Sequence, residues 1–296
     1  MTHETPTPAQ HLPRATTRRF AVLQRLLRSK SAILGLAILA VLILVALLEP
    51  YLVPFDPLQI DSAQALQQPG LPYLFGTDQF GRDVFSRVLA GAYLSLSIGL
   101  ISVSIAALFG VVIGLLSGYY GGWVDTLLMR IIDIMLAFPG ILLALAIVSM
   151  LGPSLTNLMI AVGVSSIPTY ARLTRGSVLA AREEIYVSAA LAIGVPNRRI
   201  LIRHLLPNVV APIIVTATLG VGAAILWAAA LSFLGLGSQP PTPEWGRMLS
   251  EGRQYLRDQW WISTFPGLAI MITVLAMNIL GDGLRDALDP RLKPTS

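Results

Sequence analysis

The chain contains no cysteine. Disulfides, thiolate metal sites and cysteine nucleophiles are thereby excluded. Histidine is almost as scarce, with only His3, His11 and His204. Two of these sit in a polar N-terminal stretch, so no histidine cluster is available to a metal. Charge is thin as well. Only 12% of the 296 residues are Asp, Glu, Lys or Arg, against about 25% in a soluble domain. The phosphate-binding pattern G-x-x-x-x-G-K-[ST] is missing, and so are H-E-x-x-H and G-x-S-x-G. The chain thus lacks the usual backbone cradle for ATP and the commoner hydrolase signatures. No chain of acids runs through its apolar stretches, which argues against a proton relay.

What fills the chain instead is apolar. Such residues make up 54% of it, and the mean hydropathy is +0.70. This composition describes an all-α, polytopic membrane protein, because a helix satisfies its own backbone in lipid. Six segments are long enough to cross a hydrocarbon core of about 20 helical residues: 32–53, 92–116, 126–151, 154–173, 208–235 and 262–284. The first is not a cleavable signal sequence, since its apolar run is too long and Leu47-Leu48-Glu49-Pro50 offers no small-residue cleavage site. The expected organisation is an N-terminal tail 1–31, a first span 32–53, an outer loop 54–91, a five-helix core 92–285 and a tail 286–296. The core includes an inner hairpin 183–206 and an outer loop 238–261.

Basic residues set the expected orientation. Sixteen fall on one side, in the N-terminal tail, at Arg130, in the stretch from Arg172 to Arg203 and in the C-terminal tail. Only five, Arg82, Arg87, Arg247, Arg253 and Arg257, fall on the other, in loops that also hold seven acids. Both termini are therefore expected in the cytoplasm. Phe20, Leu23 and Leu27 recur at helical spacing beside Arg18, Arg19, Arg25 and Arg28. They read either as an amphipathic helix on the inner leaflet or as an ordinary positive flank. Residues 244–261 also show helical apolar spacing and end on Trp260 and Trp261, which fits a short helix on the outer face or a loop anchored by its tryptophans.

Gly110, Gly114, Gly118 and Gly122 are spaced by four, which puts them on one helical face where a neighbouring backbone can approach. Pro139, Pro168, Pro212 and Pro266 can each kink a span. Arg130 and Asp133 are placed to pair at i,i+3.

The most informative stretch runs from Tyr186 to Asn208. Glu183–Ile193 has good helix formers, Gly194 stands where a C-terminal cap places glycine, and Pro196 prevents continuation. Asn197 is a plausible N-cap for a second short helix, and Pro207 marks the next span. Ser188, Ala189 and Ala192 give the first helix a small-residue face, ringed by Arg198, Arg199 and Arg203. The expectation is a helical hairpin that docks in a cleft of another protein. The plainer reading is a solvated basic loop.

This segment resembles the EAA loop of permease subunits in bacterial ABC importers. It keeps the spacing of Ser188-Ala189-Ala190, Gly194, His204 and Leu206-Pro207, with Ser188 in place of the acid and His204 in place of isoleucine. Further motifs are similar to the second permease of dipeptide, oligopeptide and nickel importers. They are Gly76-Thr77-Asp78, Gly81-Arg82-Asp83 and Ser86-Arg87 (with Tyr93 where that family often has Arg), then Arg130, Asp133 and Ala137-Phe138-Pro139. Leu231 to Gly237, Glu244-Trp245-Gly246 and Gly281 to Arg291 complete the set. The resemblance spans roughly residues 30–292.

It implies an ABC importer type I-like permease fold of six transmembrane helices in the cell inner membrane. It implies as partners a second homologous permease subunit, two ATP-binding subunits that hold ATP and Mg, a periplasmic or lipid-anchored solute-binding protein, and membrane lipids. No cofactor is expected in this chain, no metal, no catalytic residue and no nucleic acid. In that scheme Ser188, Ala189, Ala190, Ala192, Gly194, Arg198, Arg199, Arg203, His204, Leu206 and Pro207 dock the ATPase. The outer signature residues Gly76, Thr77, Asp78, Gly81, Arg82, Asp83, Ser86 and Arg87 serve the face that receives the binding protein, together with 244–261. Gly110, Gly114 and Gly118 pack helices. Di- or oligopeptides are the first expectation for cargo, with nickel, glutathione and opines or sugars left open. The alternative is a secondary transporter working without an ATPase.

Overall fold

The structure is a computed structural model and describes Leu26 and residues 29–288. The expected surface helix around Phe20, Leu23 and Leu27 and the stretch 289–296 lie outside the described residues. Among those described there is no β-strand, only an isolated bridge between Thr77 and Asp83. The helices are α1 (Lys30–Leu52), α2 (Val84–Tyr120), α3 (Gly122–Leu136), α4 (Gly140–Leu151), α5 (Leu155–Arg182), α6 (Ile185–Ala192), α7 (Asn197–Phe233), α8 (Trp245–Gly252) and α9 (Trp261–Leu288).

Four of them, α1, α2, α7 and α9, are each long and apolar enough to cross a membrane. The expected single span 126–151 is two helices instead. α3 and α4 meet at 88° and pass the same test only as a bent pair. The cause is Pro139, which has no N–H to give and pushes Phe138 out of helical geometry. The fourth expected span, 154–173, belongs to a longer helix. α5 runs on to Arg182, so Arg172, Arg175 and Arg182 stand on a helix and not in a loop. α5 is less apolar than the other long helices because Thr156, Asn157, Ser165, Ser166, Thr169 and three arginines lie along it, and 12 of its 28 residues are buried in the bundle.

The bundle is organised around the contact between α2 and α5. Their axes run in the same direction, and the glycines make the contact. A β-carbon on Gly110 would lie 2.5 Å from Tyr170 Cβ, one on Gly114 would lie 2.6 Å from the Ala171 carbonyl oxygen, and one on Gly118 would lie 2.9 Å from Val178 Cβ. Gly163 returns the arrangement from α5, facing the Ser102 carbonyl at 2.9 Å. Ser102 Oγ donates to the Met159 carbonyl at 3.0 Å. Only hydrogen fits along this seam, which is the small-residue packing that membrane helices use when lipid supplies no hydrophobic drive. Gly122, the fourth glycine of the expected series, does not share the seam. It opens α3 at φ +53° with open space around it.

The same device seats α1, which is mostly unburied. Gly35 and Gly283 leave room for the α9 backbone and for Ala32, respectively. α1 and α9 therefore run antiparallel.

The overpacking cost gives a test. Gly114→Ala is expected to destabilise the purified protein by about 1–3 kcal/mol, because the atoms in its way, the Ala171 carbonyl oxygen, Thr174 Cβ and the Arg175 nitrogen, belong to or sit directly on the α5 backbone. Gly176→Ala, at an exposed position of α5 with no atom within 4 Å of the added carbon, is expected to be neutral or stabilising by up to about 1 kcal/mol. Thermal unfolding in detergent compares the two.

Candidate functional site

Three features are brought together by this bundle: a hairpin at one end, a groove between the helices the hairpin joins, and a buried charge cluster at the opposite end. The hairpin begins where α5 ends. α6 closes on Gly194 at φ +76°, with Gly194 N–H donating to the Leu191 carbonyl and Val195 N–H to the Ala190 carbonyl, each at 3.0 Å. This pair of bonds is the Schellman closure that glycine permits. The chain then restarts at Asn197. Pro196 occupies the capping position, and Asn197 does not cap. Its side-chain oxygen accepts instead from the Tyr119 hydroxyl at 2.8 Å.

The second arm is not a separate helix. It runs without a break into the membrane as α7, through a wide π-helical turn at Ile200–Leu205. Pro207 explains the turn. It cannot donate back, and widening the preceding turn makes room for its ring.

The hairpin is bolted to the bundle. Arg182 Nη1 donates to the Tyr119 carbonyl at 3.0 Å. Arg175 grips Asp125 with two bonds of 2.7 and 2.6 Å, and Ser117 Oγ joins the same carboxylate. Tyr186 and Asn208 link α6 to α7 at 3.1 Å. Beneath these polar struts Val187, Ala190, Ile200 and Leu205 pack with Tyr119 and Val178 in one buried cluster.

Burial sorts the expected docking residues. Ser188, Ala189, Ala192, Gly194, Arg198, Arg199, Arg203 and Pro207 are exposed, and His204 and Leu206 are half-buried. Ala190 is 5% exposed. It faces the bundle and is not available to a docked protein, because it lies three residues from Val187 on the inward face of α6. The outward face adds Ile185 and Ile193, which are 85% and 81% exposed. Sequence reasoning missed the struts Ser117, Tyr119, Asp125, Arg175 and Arg182. Their only signal was charge at helix ends.

Asp133 is also re-paired. It bonds Arg172 on α5 at 2.7 Å and not Arg130, and both side chains are about half exposed.

Between α2, α5 and α7 lies a half-open groove of about 250 Å³. Ser166, Thr169, Tyr170, Thr216 and Trp227 line it, together with small and aliphatic residues, and no lining residue is charged. Tyr170 spans its floor, its hydroxyl donating to the Thr216 carbonyl at 3.4 Å. Gly220 lets it do so, since a β-carbon there would meet the hydroxyl oxygen.

At the far end, the outer signature residues turn inward. Thr77, Asp78, Arg82, Asp83, Ser86 and Arg87 are all buried. Arg82 Nε donates to Asp78 at 2.6 Å and its Nη2 to Glu251 at 2.9 Å. Arg87 reaches the same Glu251 at 3.3 Å, and Arg247 reaches its other oxygen at 3.2 Å. Asp83 caps α2 through Ser86 N–H and Oγ. Gly76 makes room for Trp261, whose Nε1 donates to the Thr77 carbonyl at 3.1 Å. Gly81, at φ +76°, lies against the Asp61 carbonyl. The expectation that Asp78 to Arg87 meet a partner directly is therefore corrected. These charges are spent on each other, tying residues 55–87 to α8, as buried charges must be. Glu244 N-caps α8, accepting from Gly246 and Arg247 N–H. Burial pushes its carboxyl above the usual range, partly offset by those bonds.

Several helices long and apolar enough to cross a bilayer, packed into one bundle, define a polytopic helical membrane protein. The comparisons agree. Residues 110–294 match the family described as binding-protein-dependent transport system inner membrane component, and residues 20–69 match the N-terminal TM domain of oligopeptide transport permease C. The chain belongs to the first of these families. It is 52% identical over 270 residues to a dipeptide transport system permease protein of Alkalihalophilus pseudofirmus, covering 91% of this chain and 89% of the relative. It is 48% identical over 271 residues to a glutathione transport system permease protein of Escherichia coli, covering 91% and 89%. Its fold is similar to the MetNI methionine ABC transporter in an inward-facing form, with TM-score 0.54 and 19% identity over 69% of this chain and 97% of the other. The fold is that of ABC importer permeases, and the secondary-transporter reading is not favoured.

A buried and a half-exposed ion pair give contrasting expectations. Glu251→Gln leaves three arginines with less counter-charge and is expected to cost about 3–5 kcal/mol of stability. Asp133→Asn breaks a half-exposed pair and is expected to cost at most about 1 kcal/mol. Thermal unfolding of both variants measures the difference. For Glu244, a carboxyl raised on folding binds its proton in the folded state first. Its stabilising contribution is present below the unfolded value of about 4.3 and is lost as pH rises through the folded value. The stability of the unmodified protein relative to Glu244→Gln is therefore expected to increase as pH is lowered from neutral.

Proposed function

We propose that this chain is one of two permeases in an ATP-driven importer and forms half of the path for di- or oligopeptides. The observation that carries the reading is the 52% identity, along nearly the whole chain, to a permease protein of a dipeptide transport system. In this reading both termini and the α6 hairpin lie in the cytoplasm, as the placement of basic residues favours. Two separate subunits bind ATP and Mg, and this chain performs no chemistry. A solute-binding protein delivers cargo to the opposite face.

The hairpin supports the division of labour. Its outward face is small and apolar, and its inward face is clamped to α2, α5 and α7. A push on α6 reaches α5 through one covalent joint and α7 through another. Because the struts and the buried cluster hold the hairpin firmly, displacement is passed to the spans and not absorbed in a loop. Glutathione is a second cargo reading, favoured by the 48% identical relative named for its transport. Glutathione is itself a small peptide.

The absence of cysteine makes the docking test clean. In native membranes, Ala189→Cys carrying a heterobifunctional crosslinker is expected to capture a nucleotide-hydrolysing subunit, whereas Ala190→Cys is not, because that position faces the bundle. Capture from neither position would sink the docking role. Uptake of labelled dialanine by the assembled transporter tests the cargo.

A further inference from the structure

We propose that Arg175 is a positioning residue that gears α3, and the elbow where α3 meets α4, to the movement of α5. The proposal rests on the importer reading above, because it needs a motor that displaces the hairpin. It starts from how loosely α3 would otherwise be held. α3 joins α2 through Gly121 and Gly122, at φ +65° and +53°. Glycine adopts such angles without steric cost, and a β-carbon on Gly122 would meet nothing within 4 Å. Two such residues in succession put little restraint on the angle between the helices, as in a hinge. Of the 15 residues of α3, only Ile132 is buried.

Beyond this joint, α3 is fastened mainly to α5. Ile132 packs with Ile167 and Ala171. Arg175 donates to both oxygens of Asp125, from Nε at 2.7 Å and Nη2 at 2.6 Å. Ser117, in the last turn of α2, adds a bond to the same carboxylate. Further along, Arg172 reaches Asp133 at 2.7 Å. The two carboxylates stand about 12 Å apart along the α3 axis, and two attachments at that separation keep α3 from pivoting on α5. They are unequal. The Arg172 pair is half exposed, and such single contacts hold weakly. The Arg175 fork is bidentate and more shielded, with its partners 35% and 21% exposed, so it is the stronger of the two.

The fork also stands where movement arrives. Arg175 is about 10 Å along α5 from Arg182, where the hairpin begins. At its other end α3 breaks at Pro139 and meets α4 at 88°. α4 packs along α5, with Ala144 and Val148 fully buried. The elbow itself leans on α7, since a β-carbon on Gly140 would lie 2.5 Å from the Trp227 ring. The elbow is therefore pinned to α5 from two sides, through α4 by packing and through α3 by the fork. Displacing α5 shifts the whole elbow against Trp227. Without the fork the α3 arm turns on its glycine joint, the elbow opens, and displacement is lost before it reaches α7.

The test uses the complete transporter in proteoliposomes, with this chain, its partner permease, its ATP-binding subunits and its binding protein. The chain has no cysteine, so spin labels attach only where one is introduced. Leu127, Phe138, Gly176 and Leu226 are all exposed. Between the nucleotide-free and ATP-bound states, labels on Leu127→Cys and Gly176→Cys are expected to keep their separation. Labels on Phe138→Cys and Leu226→Cys are expected to change theirs by about 1–2 Å or more. Asp125→Asn removes the fork. It is expected to broaden the first distance, to shrink the change in the second, and to lower dialanine imported per ATP hydrolysed at least about five-fold, while basal hydrolysis is retained.

A first distance that changes with ATP, or a second that does not, overturns the gearing. So does an assembled Asp125→Asn transporter with unchanged import per ATP. The distances are read with Asp125 in place, so they decide the matter even if Asp125→Asn does not assemble. If the unmodified chain assembles with no ATP-hydrolysing subunit, the importer reading itself has failed and the gearing falls with it. Hydrolysis by the unmodified complex tells that outcome apart from failure of the gearing alone.

Discussion

The closeness of α2 and α5 is the constraint on which the rest depends. Three glycines at intervals of four remove every side chain from one face of α2, and α5 fills the space with its own backbone. In a bilayer, helices are not driven together by exclusion from water, so contact area and close approach carry the association. This seam decides where the hairpin leaves the bundle, since α5 runs straight into it. It also brings the α2 terminus, with Ser117 and Tyr119, to the place where α3, α5 and α7 are tied together. The groove opens beside this seam, where Val103 of α2 and Ser166 to Tyr170 of α5 meet α7. One packing choice thus positions both the hairpin and the groove.

The two ends of the bundle are held by different physics. At the loop end, Arg82, Arg87 and Arg247 share Asp78 and Glu251 in a buried network. Such groups are costly to bury and costlier to leave alone, so they lock segments that are more than 150 residues apart. At the hairpin end, an apolar cluster and a few struts do the holding. That leaves an exposed face of small and apolar side chains on α6. A locked end and a graspable end, joined by rigid helices, suit a body that rocks rather than one that unfolds.

Hydropathy made α1, α2, α7 and α9 legible, because each presents much of its surface to lipid and must be apolar there. The glycine series was legible as a packing face for the same reason, that a missing side chain has few other uses in a membrane helix. Gly194 and Pro196 marked the hairpin turn because each removes a conformational option locally. Other features were not legible. The 88° break at Pro139 looked like a kink, since a proline inside a helix and one that ends it read alike until the neighbours are known. Pro168, Pro212 and Pro266 stayed inside continuous helices. The length of α5 was underestimated because its arginines resembled a loop, yet they serve as struts. Asp133 had an eligible partner one turn away and took another across a helix contact.

The order of amino acids alone settles what is local or solvent-driven: a membrane-embedded all-α chain, the stretches that meet lipid, the glycine face and the capped turn. Tertiary structure decides which surfaces remain available. It turns the outer signature charges inward, hides Ala190 while leaving Ala189 open, and brings residues of α2, α5 and α7 around one groove. The physical reason is that periodicity within a helix records what each face resembles, whereas the identity of the partner across the contact depends on shape and charge supplied by residues far away in the chain.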